Sequence, residues 1–268
     1  MLTILASLVF LVVMAVIFEE RLIYFPSDDL EVTPAALGLR HEELTLVTSD
    51  DHRLHAWFLP SPVEPPAERY TVLVCHGNAG NISHRLDRTL LMHSNLGTDI
   101  LLFDYRGFGQ SSGRPNELGT YDDVRAAYRY LVEDRGVAED RIVLFGESLG
   151  AAVALQLATE VEAAGLVLEA PFTSIRDMAR EAYPFIPNGW LRTRYQNIEK
   201  IPTLEMPLLV VHGTDDNTVP FAQGKNLFEV AKEPKRFLPI DGAGHSDAFL
   251  VGRDVYWQAW KEFLASLN

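Results

Sequence analysis

The chain has a single cysteine, Cys75, in 268 residues, so no disulfide can form within it and no cysteine-rich metal site can be built. Basic residues are scarce: 23 Lys and Arg stand against 37 Asp and Glu, a formal net charge of −14. That balance argues against a polybasic grip on anionic lipid or on phosphate backbones, and nucleic acid is not an expected partner. No repeat period is visible, and 47% hydrophobic with 22% charged residues is the composition of neither a disordered nor a fibrous chain. A chain of this length buries about three-quarters of its unfolded surface, which predicts one large domain with a substantial core.

Charge is missing altogether from residues 2–18, LTILASLVFLVVMAVIF. As a helix this run reaches about 26 Å, at the short end for a hydrocarbon core of about 30 Å. No Lys or Arg precedes it and no small-x-small cleavage site stands before Glu19. An uncleaved single-pass membrane anchor over residues 1–25 is therefore expected, in preference to a signal peptide or a buried helix. Arg21, flanked by Glu19 and Glu20, is the only basic residue near either end, so the side on which the remaining chain lies is not specified.

After a connector rich in Pro and acid, Pro26 to Pro34, the runs Glu43 to Thr48 and Leu54 to Leu59 read as an antiparallel pair. Pro60, Pro62, Pro65 and Pro66 then impose a surface loop. Short, continuously apolar runs follow at 71–75, 99–103, 141–145, 164–168, 207–211 and 236–240, alternating with helical patterns such as Tyr121 to Val132 and Ala151 to Ala158. Continuous hydrophobicity means that both faces of each strand are covered. The alternation predicts an α/β fold, a mostly parallel sheet sandwiched by helices, with ligands bound at the carboxyl ends of the strands.

At one such end lies Gly146-Glu147-Ser148-Leu149-Gly150, a G-x-S-x-G pattern. Two glycines around a serine are a weak signal in isolation. Here the pattern follows an apolar strand directly and opens an Ala-rich helix, the context of a nucleophile turn, where crowding leaves no room for Cβ atoms beside the serine. The backbone N–H of Leu149, at the start of that helix, is placed to stabilise negative charge. A serine that merely caps the helix is the competing reading.

A serine hydroxyl needs a base. Among eight histidines, His245 stands out, because its loop, DGAGHSD, follows the last apolar strand. His41, His52, His55, His84 and His93 belong to early strands or the first helical pattern, and surface or packing roles are expected of them. His76 and His212 each precede a glycine at a strand end and read as loop-shaping residues with local hydrogen bonds. The imidazole in turn needs an acid to orient it, and the loop HGTDDNTVP offers Asp215 and Asp216, which position alone does not separate. A second oxyanion donor is expected in the small-residue loop after the strand at 71–75, and the N–H of Asn78 is assigned to it. Cys75, inside that strand, reads as a small buried residue.

These segments resemble the α/β-hydrolase superfamily, and within it the membrane-anchored α/β-hydrolase-domain proteins related to serine aminopeptidase-type hydrolases and protein depalmitoylases. The carriers are CHGNAGN (75–81), FDYRGFGQSSG (103–113), GESLG (146–150), EAPFTS (169–174), HGTDDNTVP (212–220) and GAGHSD (242–247), and the likeness runs from about Leu39 to Leu267. It implies an eight-stranded sheet with its second strand antiparallel, and a catalytic domain over residues 39–268. The family pattern H-G-x-x-D-x-x-V-P implies Asp216 as the acid. Arg106 and Gly107 look like a structural turn.

The expected activity is that of a serine hydrolase acting on ester or thioester bonds of acyl or lipid-like substrates, acylated proteins among them, with Ser148, Asp216 and His245 as triad and no metal or organic cofactor needed. Alternatives are an aminopeptidase-like peptidase, a cofactor-free haloperoxidase and a non-catalytic binding protein. An insertion at about 171–206 is long enough for a small cap. Its Phe172, Tyr183, Phe185, Trp190 and Tyr195 either line an apolar acyl channel or pack the cap onto the domain. The oligomeric state and the physiological substrate are not legible.

Overall fold

The computed structural model describes residues 19–61, 69–182 and 191–267. Its centre is an eight-stranded sheet made of β1 (Glu42–Val47), β2 (Arg53–Leu59), β3 (Thr71–Cys75), β4 (Asp99–Phe103), β5 (Ile142–Glu147), β6 (Gly165–Glu169), β7 (Leu208–Gly213) and β8 (Lys235–Ile240). In space the order is β8-β7-β6-β5-β3-β4-β2-β1, and β2 is antiparallel to both β1 and β4 while the remaining pairs are parallel. This is the α/β-hydrolase topology, with β5 near the middle of the sheet.

The continuous apolar runs become strands because alternate residues feed two cores. Leu73, Phe103, Leu144, Leu168 and Val210 face one side, where α2 (Glu117–Arg129), α3 (Leu149–Ala158) and α5 (Phe221–Val230) pack. Val72, Val74, Phe145, Val167 and Val211 face the other, covered by α1 (Leu86–Leu96) and α6 (Arg253–Ser266). Helix α3 is buried nearly all round, as its Ala- and Leu-rich composition requires. Helix α2 begins at Glu117, earlier than its apolar pattern at Tyr121, because the Asn116 side chain accepts from the N–H of Gly119 and caps it. Past Arg129 the backbone widens into a π-turn over Tyr130–Asp134.

Two expectations fall on other ground. Of the anchor expected over 1–25, residues 1–18 lie outside the described residues, as does the Pro-rich segment 62–68, while 19–25 form a short helix, Glu19–Ile23, followed by the buried Tyr24; among the described residues no helix is long and apolar enough to cross a membrane. Within 171–206, α4 (Ile175–Ala182) is followed, beyond the undescribed residues 183–190, by a short helix at Asn197–Lys200. Phe172 and Tyr195 do not line a channel there. Both are buried in the core, and the Tyr195 hydroxyl lies 2.8 Å from those of Tyr24 and Thr120, so they pack this segment onto the domain. Tyr183, Phe185 and Trp190 lie outside the described residues.

Candidate active site

Ser148 follows the last residue of β5 with φ 53° and ψ −114°, a region closed to L-residues except under tertiary constraint. Such a conformation costs about 1–3 kcal/mol. It is held from two sides: the Ser148 N–H donates to the Glu169 carbonyl at 2.9 Å, and the Ser148 carbonyl accepts from the Ala151 N–H at 3.0 Å. The side chain makes no capping hydrogen bond to α3, so the helix-cap reading of this serine fails. The flanking glycines are required by contact. A Cβ at Gly146 would stand 2.2 Å from the Gly150 carbonyl oxygen, and one at Gly150 would stand 2.0 Å from that of Cys75.

His245 lies in the loop after β8, and its Nε2 is 3.0 Å from Ser148 Oγ. Its Nδ1 is 2.8 Å from Oδ2 of Asp216, in the loop after β7. A carboxylate only accepts, so Nδ1 carries the proton and Nε2 is left to accept from the serine hydroxyl. The two loops are stitched together: the N–H groups of Thr214 and Asp215 donate to the carbonyls of Ile240 and Ala243 at 3.0 and 2.9 Å. Within the second loop, Gly244 N–H donates to Asp247 at 2.7 Å.

The Asp216 side chain is fully enclosed. Burial alone would push its pKa up, but hydrogen bonds with His212 and His245 and the Val219 N–H outweigh it and hold the carboxyl well below the usual range. Its Oδ1 accepts from the N–H groups of Thr218 and Val219, both at 2.8 Å. Asp215 is exposed and makes no hydrogen bond or ion pair with the ring. His212, expected only to shape its loop, does donate to the Val219 carbonyl at 2.9 Å, and its Nε2 is also 3.4 Å from Asp216.

The N–H groups of Asn78 and Leu149 donate to no protein acceptor among the described residues, which leaves both free for an incoming oxygen. The Asn78 loop is fixed from an unexpected direction. Its side-chain amide donates to the Ile23 carbonyl at 2.7 Å, and its own carbonyl accepts from the Phe25 N–H at 2.8 Å. A two-residue parallel bridge pairs Phe25 and Pro26 with Ala79 and Gly80. The Pro-rich connector therefore begins as part of the site's wall. His76, under the same loop, is fully buried and donates to the Gly77 carbonyl at 2.7 Å. Cys75 is buried, which pushes its thiol pKa up and keeps it protonated. Among the described residues no cluster of His, Cys, Asp or Glu has the makings of a metal site.

Three charged residues beneath the site escaped the reading of the sequence. Arg88 on α1 lies between Glu147, the residue before Ser148, and Glu169 at the end of β6, at 3.1 and 2.9 Å. The signal for them was the charged residue at the second position of GESLG, which the strand's apolar run carries into the interior.

Comparison with known proteins agrees with this architecture. Residues 66–200 match the family described as serine aminopeptidase, S33. An uncharacterized protein of Mycobacterium tuberculosis is 40% identical over 249 residues, spanning 92% of this chain and 87% of that protein. The alpha/beta hydrolase domain-containing protein WAV2 of Arabidopsis thaliana is 34% identical over 277 residues, spanning 94% and 89%. An esterase of Pyrococcus furiosus superposes with a TM-score of 0.73 over 91% of this chain and 97% of its own, at 19% identity, a likeness of fold.

Proposed function

The chain belongs to the α/β-hydrolase superfamily, and from that premise we propose that it is a serine hydrolase cleaving ester or thioester bonds of acyl or lipid-like substrates. The observation that carries this reading is the unbroken relay from Ser148 Oγ to His245 Nε2 at 3.0 Å and from His245 Nδ1 to Asp216 Oδ2 at 2.8 Å, built on a serine whose backbone is strained into the left-handed half of conformational space.

In this reading Ser148 attacks the carbonyl carbon as its proton passes to His245 Nε2. The charge that appears on the ring is matched by Asp216, which stays ionised because its hydrogen bonds favour the anion. The carbonyl oxygen becomes an oxyanion between the N–H groups of Asn78 and Leu149, each such donor contributing about 3 kcal/mol to the barrier reduction. His245 then protonates the leaving alcohol or thiol. Water, deprotonated by the same nitrogen, releases the acid from the acyl-enzyme.

A fluorophosphonate probe tests the reading: Ser148 should be labelled, and Ser148→Ala should neither be labelled nor hydrolyse p-nitrophenyl acyl esters. An unlabelled wild-type protein would sink it. A peptidase reading is favoured by one observation, the serine aminopeptidase description of the matching family. Aminoacyl p-nitroanilides run beside an acyl-chain-length series of p-nitrophenyl esters separate the two. We also propose that residues 2–18 anchor the protein in a membrane, on the strength of their length and lack of charge; resistance of the full chain to carbonate extraction from membranes is the measurement.

A further inference from the structure

Arg88 is buried, and its guanidinium meets the turn that carries Ser148, the strand end that holds that turn, and the loop that carries His245. It ion-pairs with Glu147, covalently next to Ser148, at 3.1 Å. It ion-pairs with Glu169 at 2.9 Å, whose backbone carbonyl receives the Ser148 N–H and whose second carboxylate oxygen accepts from the Tyr256 hydroxyl at 2.7 Å. It also donates to the carbonyl of Ser246, the residue after His245, at 3.3 Å, and lies over the Phe249 ring at 4.6 Å. Both glutamates are buried as deeply as the arginine.

Such a cluster is a poor way to add stability. Desolvating three charges offsets most of their mutual attraction, and apolar residues of similar volume usually serve a core as well or better. What the rigid planar guanidinium of an arginine supplies is relative placement: its nitrogens are fixed to one another, so the two carboxylates paired with it and the Ser246 carbonyl that accepts from it are held at set separations. The bound groups here are the turn bearing Ser148, the strand end that holds that turn, and the loop bearing His245.

We propose that Arg88 is a positioning residue that sets the distance and angle between Ser148 and His245, by tying the His245 loop to the Ser148 turn through Glu147, Glu169 and the Ser246 carbonyl. The proposal rests on the serine hydrolase reading. Arg88 touches no reacting atom. Its effect falls on the geometry of the proton transfer, where a displacement of about 1 Å costs up to about a hundredfold in rate.

Two variants test it. Arg88→Lys keeps one positive charge but replaces the fork with a single ammonium that cannot span two carboxylates and a carbonyl. The triple variant Arg88→Met, Glu147→Gln, Glu169→Gln removes every charge at similar volume, so the fold stands even where a lone unpaired carboxylate would undo it. For each, kcat and KM for a p-nitrophenyl ester and the rate of fluorophosphonate labelling at Ser148 are measured on protein with wild-type circular dichroism. Both should lose about tenfold or more in kcat and in labelling rate, with KM within about twofold. Wild-type kcat and labelling in either folded variant, or a raised KM at unchanged kcat, would overturn the proposal while leaving the hydrolase reading intact. If instead the wild-type Ser148 is not labelled at all, the hydrolase reading itself fails and the positioning role goes with it.

Discussion

His245 Nδ1 stands 2.8 Å from Asp216 Oδ2, while Asp215, one residue earlier in the same loop, is exposed and makes no hydrogen bond or ion pair with the ring. Asp216 is buried and its carboxylate receives the N–H groups of Thr218 and Val219, whereas Asp215 is held by its backbone N–H, which donates to the Ala243 carbonyl, and leaves its side chain in solvent. Asp216→Asn should lower kcat about 10³–10⁴-fold, because an amide cannot hold the imidazole in the required tautomer. Asp215→Asn should change kcat by less than about twofold. Equal losses in steady-state assays of the two variants would dissociate the acid from this position.

Gly146 and Gly150 face backbone rather than side chains, so nothing nearby can swing away from an added methyl group. Gly150→Ala would drive its Cβ into the Cys75 and His76 carbonyls, at the junction of α3 with the loop that bears Asn78. A loss of about 1–3 kcal/mol in urea denaturation is expected, with a larger proportional loss in esterase rate, since the Leu149 and Asn78 donors move apart. Wild-type stability together with wild-type activity would show that the contact relaxes freely.

How much of this was legible beforehand follows from which forces are local. The strands at 71–75 and 99–103 coincide with their apolar runs because burial on both faces writes itself into consecutive residues. The turn at Ser148 and the loops of Asp216 and His245 carry small residues and fixed spacings that mark them in one dimension. Arg88 carries no such mark: it is one arginine on an amphipathic helix, and only the fold brings it to Glu147 and Glu169, distant in the chain. The same holds for Ile23 and Phe25, read as the end of the anchor segment 1–25 and found gripping the Asn78 loop. Tyr24 and Tyr195, 171 residues apart, share a hydrogen bond that no periodicity announces.

Glu19 makes another of those long-range ties. It is buried, and its carboxylate accepts from the N–H groups of Arg192 and Thr193 and from the Thr193 hydroxyl, at 2.9 to 3.2 Å. Glu19→Ala should leave these donors without their acceptor at a cost of about 1–3 kcal/mol. Because the same short helix, Glu19–Ile23, ends at the carbonyl that fixes Asn78, kcat should fall as well. Limited proteolysis reads the first effect, as faster cleavage in the segment around Arg192, and a steady-state assay reads the second. Unchanged proteolysis would mean that Arg192 and Thr193 are held by other contacts.

His76 supplies a pH test that does not depend on turnover. Its ring is fully buried, packed on Tyr105 with centroids 4.5 Å apart and edge-on to Phe108 at 5.3 Å. Burial pushes its pKa down from 6.5 to about 4, against the pull of Asp104, whose carboxylate lies 3.6 Å from Nε2. Between those two pH values the unfolded chain binds a proton that the folded chain refuses, so stability rises with pH across this window. The contribution is complete above about pH 6.5 and drains away towards pH 4, amounting to about 3 kcal/mol. His76→Gln keeps a donor for the Gly77 carbonyl but cannot titrate. In urea denaturation the variant should be the less stable protein at pH 7.5, by about 1–2 kcal/mol for lost ring packing, with the gap closing or reversing at pH 4.5. A gap that stays constant across that range would mean that His76 takes up its proton without leaving the core.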